Sequence, residues 1–333
     1  MKTLRLASWN VLAPSLVRRN PRLYQACAPA ALAPDARRER ILLHLTNIGA
    51  DVIALQEVED CEKTLAPSLK ELGYEGVFKK RTGDETTDGV AIFARSSRVS
   101  ITSVEALEFA ALADEPPLAS RIVGDASEAA GAEAASAATA AARDKGAADA
   151  LKHNVALLVT LRDNETGQSL LVGCTHILFN HNRGLVKLSQ VDAYLTGAMR
   201  LAAAAPSPPA VVLMGDFNSA PRSLLHTYMS GGGVNTFLDT EGEWDGCRRF
   251  SATEKGRRNE RRKSGALRVD APAHPLARRL RSAYDSMGEP AATTCVDGDI
   301  KTVDYIMAER GRLAVGALLP TPRHGQSAKN GPP

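Results

Sequence analysis

The chain has 333 residues, 44% of them hydrophobic and 24% charged, which allows one large domain or two smaller ones and excludes global disorder. No apolar run reaches the roughly 18 residues of a transmembrane helix, and Met1–Ala13 lacks the apolar segment of a signal peptide, so we expect no membrane partner. Five widely spaced cysteines without a CxxC pair favour a reducing compartment, cytoplasmic or nuclear, over a disulfide framework or a zinc knuckle.

The net charge of +3 conceals a basic segment. Residues 248–281 contain twelve Lys or Arg and three Asp or Glu, a local charge of +9 that leaves −6 for the rest of the chain. A mildly acidic body with one basic segment suits a carboxylate-lined site together with a patch that contacts a polyanion. A solvated loop or a nuclear localisation signal is the alternative interpretation of Arg257–Lys263.

The N-terminal half of the chain alternates short apolar strands with amphipathic helices. A helix over 34–48 is predicted from the spacing of Ile41, Leu45 and Ile48, and Gly49 is placed to end it. The apolar run DVIALQ, residues 51–56, predicts a buried strand ending at Glu57. The other predicted elements are a strand over 4–7 leading to Asn10, a helix over 64–72 and a strand over 89–94.

The C-terminal half continues this pattern around two atypical segments. We expect paired strands over 154–161 and 170–175, a helix over 184–201, a strand over 210–214 with a loop from Gly215, and a strand over 302–307. An alanine-rich insertion at about 125–150, in which 14 of 26 residues are Ala, and a basic insertion at 231–282 show little periodicity. Strands mixed with helices, without GxGxxG or GxxxxGK[ST], predict an α/β fold outside the common nucleotide-binding types.

Polar side chains recur where the predicted strands end. The residues in these positions are Asn10, Glu57, His176, Asp216 with Asn218, and Asp304. Because α/β enzymes place their sites where strand ends meet at one edge of a sheet, we expect these side chains to come together. Each alone also has an ordinary interpretation, for example a charge at a helix start for Glu57, an Asx turn at 216–218 or a core histidine at 176.

The residue types in this set suit a hard cation and a phosphate. Glu57 and Asp216 supply carboxylates, and Asn218 points to the same side of an extended segment as Asp216. Mg²⁺ prefers such oxygen ligands, and Mn²⁺ accepts the same ones. His176 is then placed to donate to a phosphate oxygen, and Asp304 to orient a histidine or activate a water. The set predicts metal-assisted phosphoester hydrolysis.

Several short motifs follow one another in a recognisable order. They are SWNVL at 8–12, LQEV at 55–58, RTG at 81–83, DGVAIF at 88–93, THILFNHNRGLVKLSQ at 175–190, GDFN at 215–218, ATTC at 292–295 and VDYI at 303–306. Together these motifs resemble the endonuclease/exonuclease/phosphatase superfamily. Within it the chain is similar to the group of deadenylases, nocturnin and Angel proteins, and most of all to the Angel proteins.

The resemblance implies a DNase-I-like four-layer α/β sandwich with two packed mixed sheets, formed by a single catalytic domain over residues 1–322. It also implies roles for individual residues. Glu57 would be the main magnesium ligand, with Asp216 and Asn218 completing the site and orienting the attacking water and the phosphate. Asn10 and His176 would contact the metal-bound phosphate or its water shell.

Further positions of the family pattern concern the substrate and the final histidine. The resemblance implies substrate contacts at Asn154, Asn180, Arg183 and Lys187, and a role for Asp304 in orienting the family's last catalytic histidine. Residues 183 and 187 lie four apart on one helical face, which could grip phosphates or form a solvated surface.

The chain departs from the Angel pattern in two places. Leu185 follows Arg183-Gly184 where an acidic residue is usual, and this position concerns substrate contacts rather than the metal. After residues 319–322 the family continues with Ser-Asp-His and a last strand. Here residues 323–333 form an atypical tail in which His324 lies near the expected histidine but has different neighbours.

Three functions are consistent with these features. The first is a Mg²⁺-dependent phosphodiesterase that hydrolyses RNA, expected to be a deadenylase-like 3′-to-5′ exoribonuclease with poly(A) among its substrates. The second is a phosphatase acting on 2′,3′-cyclic or terminal phosphates at RNA 3′ ends, since the same metal site would serve. The third is a weakly active or inactive scaffold that binds RNA or protein, in which the basic segment supplies phosphate contacts.

Overall fold

A computed structural model describes residues 3–25, 27–114, 153–180, 184–238, 267–285, 288–290, 292–296 and 299–319. The predicted alanine-rich insertion at 125–150, the middle of the basic segment and the tail at 323–333 lie outside these ranges. The helices are α1 (Pro14–Arg19), α2 (Pro29–Leu32), α3 (Pro34–Ile48), α4 (Leu65–Glu71), α5 (Gly184–Ala204) and α6 (Leu224–Met229), with 3₁₀ turns at Pro21–Tyr24, Phe109–Asp114 and Ala277–Arg279.

The strands form two principal sheets. They are β1 (Leu6–Asn10), β2 (Val52–Glu59), β3 (Tyr74–Lys80), β4 (Asp88–Arg95), β5 (Val99–Glu108), β6 (Val155–Asp163), β7 (Ser169–His176), β8 (Ala210–Asp216), β9 (Val234–Leu238), β10 (Leu267–Ala271), β11 (Leu280–Ser282), β12 (Thr294–Val296), β13 (Asp299–Lys301) and β14 (Asp304–Glu309). One sheet has the order β1-β2-β4-β3, and the other β11-β14-β8-β7-β6-β5. Both are mixed, because β1–β2 and β7–β8 pair in parallel whereas their other pairs are antiparallel. Strands β9 and β10 form one two-stranded sheet and β12 and β13 another.

The two large sheets pack face to face through alternating apolar side chains. Ala54 and Ile92 of the four-stranded sheet belong to the same buried cluster as Leu157, Val172 and Val212 of the six-stranded sheet. The outer face of each sheet is covered by helices, with Ile41 and Leu45 of α3 and Leu69 of α4 on one side and Leu188, Val191 and Leu195 of α5 on the other. Helix, sheet, sheet and helix make four layers, so the predicted DNase-I-like sandwich is confirmed.

Most predicted elements are present, with local differences. Helix α3 has the predicted bounds, and Gly49 ends it in the left-handed conformation at φ 58°. The strand expected to end at Glu57 continues to Glu59, and β8 runs through Gly215, where a loop was expected, to Asp216. The segment expected as a basic insertion ends inside the six-stranded sheet, because Leu280–Ser282 pairs with β14. Within the described ranges, no helix combines the length and the apolarity needed to cross a membrane.

Candidate active site

The predicted polar residues meet at one edge of the sandwich. In the six-stranded sheet, His176, Asp216 and Asp304 lie side by side on adjacent strands, since residue 216 is the register partner of both the others. Their side chains follow the alternation of Cys174, Met214 and Ile306, which point between the sheets. They therefore face the four-stranded sheet, where Asn10 ends β1. We call this group, with Glu57 and Asn218, the polar edge.

A β-bulge turns Glu57 into the polar edge. Strand β2 pairs with β4 in register up to Gln56 and again from Val58, so Glu57 is the extra residue of the bulge. Its φ of 56° lies in the left-handed region, which is costly for a residue with a side chain and recurs at functional sites. In regular alternation Glu57 would follow Ile53 and Leu55 towards the helices. The bulge points it instead at its polar neighbours.

Asn10 links the carboxylates of the two sheets. Its Nδ2 donates to Glu57 Oε1 at 2.7 Å and to Asp216 Oδ2 at 2.9 Å. The backbone after Asn10 completes the arrangement, because the N–H of Leu12 donates to Asn10 Oδ1 at 2.9 Å and that of Ala13 donates to Glu57 Oε2 at 3.0 Å. Both oxygens of the Glu57 carboxylate and both polar atoms of the Asn10 amide are thus fixed in direction.

The GDFN segment supplies both an Asx turn and a site. Asp216 Oδ1 accepts from the backbone N–H of Asn218 at 2.9 Å, which forms the Asx turn predicted as the alternative for 216–218. Its Oδ2 accepts from Asn10 Nδ2 at the polar edge. Asn218 has φ 46°, and its Nδ2 donates to Ile177 O at 2.9 Å and to His176 Nε2 at 3.0 Å. The turn and the site are compatible because each uses a different oxygen of the Asp216 carboxylate.

His176 lies among the polar side chains of the polar edge and not in an apolar core. Because an amide nitrogen only donates, Nε2 of His176 accepts from Asn218 and the neutral ring carries its proton on Nδ1. Among the described residues Nδ1 has no hydrogen-bond partner although it is buried. It lies 3.9 Å from Glu57 Oε1, and Nε2 lies 3.8 Å from Asp216 Oδ2. The ring thus holds an unused donor next to two carboxylates.

Asp304 is a buried carboxyl beside two others. Burial and the nearby charges of Asp216 and Glu57 raise its pKa well above the usual range, against a lowering by a hydrogen bond with Thr293. Its Oδ1 is buried and finds no hydrogen-bond partner in the described part of the chain. The position expected for the histidine that Asp304 would orient, and His324 itself, fall outside the described residues.

The predicted substrate residues have different surroundings. Asn154 is buried, and its Nδ2 donates to the main-chain oxygen of His176 at 2.8 Å, so it supports the end of β7. Lys187 is 3% exposed and donates to Asn218 O at 2.8 Å, so the solvated-surface alternative is wrong for this residue. Asn180 is exposed, next to Phe179, whereas Arg183 lies outside the described residues.

Two residues around the site escaped prediction. Arg37 of α3 is buried and donates to the backbone of residues 11 and 12. Gln190 of α5 accepts from the N–H of Leu178 at 2.9 Å and donates to Asn154 at 3.3 Å, so it holds the segment after His176. The sequence did contain a sign that Arg37 is buried. It precedes Ile41 and Leu45 by four and eight positions, so it lies on the same helical face as these apolar residues.

The donor set at the polar edge fits a divalent cation. Among the described residues no three His, Cys, Asp or Glu side chains form a ready coordination group. The predicted ligands are two carboxylates and an amide, however, and Mg²⁺ keeps waters for its remaining positions. Carboxylate oxygens of Glu57 and Asp216 converge on one Asn10 amide nitrogen, while a donor of His176 remains unused beside them. Hard oxygen ligands of this kind are what Mg²⁺ or Mn²⁺ requires.

The chain belongs to the endonuclease/exonuclease/phosphatase family, which it matches over residues 7–326. Among solved structures, the crystal structure of ANGEL2, a 2′,3′-cyclic phosphatase, is similar at a TM-score of 0.68 and 25% identity, over 93% of this chain and 83% of that one. The predicted family and its Angel-like character are therefore confirmed.

Sequence relatives point in the same direction. Carbon catabolite repressor protein 4 homolog 3 of Arabidopsis thaliana is 27% identical over 94% of this chain and 67% of its own length. The 2′,5′-phosphodiesterase 12 of Bos taurus is 27% identical over 96% of this chain and 47% of its own length. The chain thus spans about half to two thirds of the length of these relatives.

Proposed function

We propose that this chain is a divalent-metal-dependent phosphodiesterase that hydrolyses RNA from the 3′ end. The observation that carries the proposal is the clustering of Glu57, Asp216 and His176 within 4 Å of one another at the polar edge, with Asn10 bridging the two carboxylates. Relatives named as a phosphodiesterase and as a cyclic phosphatase support phosphoester chemistry. Mg²⁺ is the proposed ion and poly(A) a proposed substrate. Cytoplasmic or nuclear localisation stays a prediction.

The side chains have complementary tasks in this reaction. Glu57, Asp216 and Asn218 would hold the metal ion, which, when bound, neutralises charge on the phosphate and favours deprotonation of a water. His176 Nδ1–H donates to a non-bridging phosphate oxygen as negative charge develops there. Asp216 Oδ2, held in direction by the Asn10 amide, accepts from the water that attacks in line with the leaving oxygen. Asn154 and Gln190 keep the His176 backbone in place.

A second candidate is hydrolysis of a 2′,3′-cyclic phosphate at an RNA 3′ end. The similarity to ANGEL2, a 2′,3′-cyclic phosphatase, favours it. The same polar edge would serve, because opening a cyclic phosphodiester and cleaving an internucleotide linkage both require attack on phosphorus with charge building on non-bridging oxygens. The two candidates differ in whether the RNA becomes shorter.

One experiment separates the candidates. The 333-residue chain is incubated with Mg²⁺ and a 5′-labelled, A-tailed RNA that ends in a 3′-hydroxyl or in a 2′,3′-cyclic phosphate, and products are resolved to single nucleotides. A ladder of shortened chains that Asp216→Ala abolishes supports the exoribonuclease. An altered end without shortening supports the cyclic phosphatase. If neither RNA changes, both proposals fail and the scaffold alternative takes their place.

A further inference from the structure

A buried guanidinium contacts the turn next to the polar edge. Arg37, Ile41 and Leu45 are the buried residues of α3 and, four apart, form one row on the face that covers the four-stranded sheet. Ile41 and Leu45 pack into the apolar cluster, whereas Arg37 is 2% exposed at the end of the row. Burying a charge in such a place costs roughly several kcal/mol unless hydrogen bonds and an opposite charge compensate it.

The guanidinium is compensated by the turn that follows Asn10. Its Nη2 donates to Leu12 O at 2.7 Å and also to Val11 O. Leu12 has φ 56°, a left-handed conformation that costs a residue with a side chain of order 1–3 kcal/mol. Two carbonyls drawn towards one buried donor provide the stabilisation that such a turn needs.

The strained turn is connected directly to the polar edge. The N–H of Leu12 fixes Asn10 Oδ1, and the N–H of Ala13 fixes Glu57 Oε2. These bonds leave Asn10 Nδ2 and Glu57 Oε1 to face each other at 2.7 Å. Burial lowers the pKa of Arg37, and the negative charge of Glu57 raises it. The geometry therefore links the guanidinium to the proposed metal ligand through one short segment.

We propose that Arg37 is a positioning residue of the catalytic centre. It holds the turn over 11–13 in the conformation that aims Asn10 and Glu57. The proposal rests on the proposed function. Because Arg37 is buried, it acts through Asn10 and Glu57 and does not contact RNA. Its loss should therefore affect metal binding and kcat, but not KM for RNA.

The test substitutes Arg37 in the full chain and measures kcat, KM and Mg²⁺ binding. For Arg37→Met we expect kcat to fall and the Mg²⁺ dissociation constant to rise, each by about 10- to 100-fold, the range seen when a partner of a metal ligand is lost. KM for RNA at saturating Mg²⁺ should change less than about twofold, as expected when the substrate contacts are intact. Arg37→Lys keeps the charge without the planar donor group and should lie between wild type and Arg37→Met.

Arg40→Met is the matched control. Arg40 lies on the same helix and its Nη2 also donates to a backbone oxygen, but that of Ala31, outside the turn. We expect this variant to lose thermal stability while its kcat and Mg²⁺ affinity stay near wild type. A general loosening of α3 would instead affect both variants alike, so equal effects would overturn the proposal.

Two readouts do not depend on hydrolysis. Calorimetric titration of the metal-depleted protein with Mg²⁺ measures the site directly, and amide hydrogen exchange at Leu12 and Ala13 should speed up in Arg37→Met but not in Arg40→Met. If wild type cleaves no RNA, the proposed function fails while these two measurements still decide on Arg37. Wild-type Mg²⁺ affinity and unchanged exchange in Arg37→Met would overturn the positioning role. If Arg37→Met does not fold, the same comparison is made with Arg37→Lys.

Discussion

Asn10 joins the two sheets of the sandwich through one nitrogen atom, because its Nδ2 donates to Glu57 Oε1 at 2.7 Å and to Asp216 Oδ2 at 2.9 Å. Glu57 belongs to the four-stranded sheet and Asp216 to the six-stranded sheet. Without a cation, a neutral amide is therefore the direct link between two carboxylates that repel each other. The same side chain thus connects the two sheets and contacts both proposed metal ligands.

Replacing this amide with a carboxylate should weaken both stability and activity. Asn10→Asp removes the donor and adds a third negative charge beside Glu57 and Asp216. Hydrogen bonds to charged groups contribute about 1.5–3 kcal/mol each, so we expect the free energy of unfolding in EDTA to fall by about 3 kcal/mol. Urea denaturation measures it. Asn10→Ala, which removes the donor without adding charge, is the control, and equal stabilities of the two variants would show that repulsion is unimportant.

Metal binding should stabilise the folded chain through the same carboxylates. At a Mg²⁺ concentration of 100 times the dissociation constant, a site present only in the folded state contributes about 2.7 kcal/mol. We expect Mg²⁺ to raise the unfolding temperature of wild type, and EDTA to reverse the change.

Asp216→Asn is the informative variant for this effect. It keeps the shape of the side chain and can still accept from the Asn218 N–H, but it loses the charge. Without metal its stability should stay near that of wild type, because its new amide nitrogen no longer accepts from Asn10 Nδ2, while repulsion with Glu57 and with Asp304, whose pKa Asp216 raises, is relieved. With Mg²⁺ it should gain much less. An equal Mg²⁺-dependent rise in both proteins would place the ion elsewhere.

The positions of the site residues could be predicted because polar residues at strand ends are a local pattern. Asn10, His176 and Asp216 each follow an apolar run, and parallel pairing brings their strand ends to one edge. Helix α3 could be predicted to the residue because apolar spacing and a terminal glycine agree. Strands β5 and β11 could not be predicted. Many side chains of β5 face solvent, so it lacks a regular apolar alternation, and β11 has only three residues.

The orientation of the side chains could not be predicted. The bulge at Glu57 depends on the register between β2 and β4, which no local pattern specifies. Lys187 was predicted as a phosphate contact or a solvated charge, and Arg37 was not singled out, yet both are buried because backbone carbonyls from distant turns accept their hydrogen bonds. Such partners are 25 and 31 residues away in sequence. The spacing of residues in the sequence does not indicate such long-range hydrogen bonds to the backbone.

An exposed aromatic ring near His176 should contribute to RNA binding. Phe179 is 75% exposed, more than any other large apolar side chain in the described ranges, and follows the segment that Gln190 holds at Leu178. Stacking of a base on an aromatic ring contributes about 1–3 kcal/mol, so Phe179→Ala should raise KM for RNA about 5- to 150-fold with little change in kcat. Steady-state kinetics measures this.

An abasic RNA and the variant Phe179→Trp test whether the effect of Phe179 comes from base stacking. Phe179→Trp should keep KM near that of wild type, and an RNA with abasic 3′-terminal nucleotides should respond little to Phe179→Ala. Leu43→Ala removes a side chain that is 59% exposed on α3 and should leave KM unchanged. A rise in KM for the abasic RNA as large as for the intact RNA would argue against stacking.

Gly215 should be intolerant of any side chain because two backbones meet there. It has φ 153°, and a Cβ at this position would lie 2.1 Å from the main-chain oxygen of Thr175 on the neighbouring strand. Gly215→Ala must push β7 and β8 apart at the point where His176 and Asp216 are paired. Overpacking of this kind costs about 1–3 kcal/mol, and backbone displacement should raise the cost to the upper end of that range.

Gly73→Ala separates this steric effect from conformational strain. Gly73 also has a positive φ, of 82°, but nothing lies within 4 Å of an added Cβ. This variant should lose only about 1 kcal/mol, the cost of placing a side chain in the left-handed region. Denaturant unfolding compares the two free energies, and hydrolysis should fall in Gly215→Ala alone, because only there does the displaced backbone carry site residues. If Gly215→Ala and Gly73→Ala lost equal stability, β7 and β8 could separate without a steric cost. Glycine at 215 would then be required for its φ and not for the short distance to Thr175.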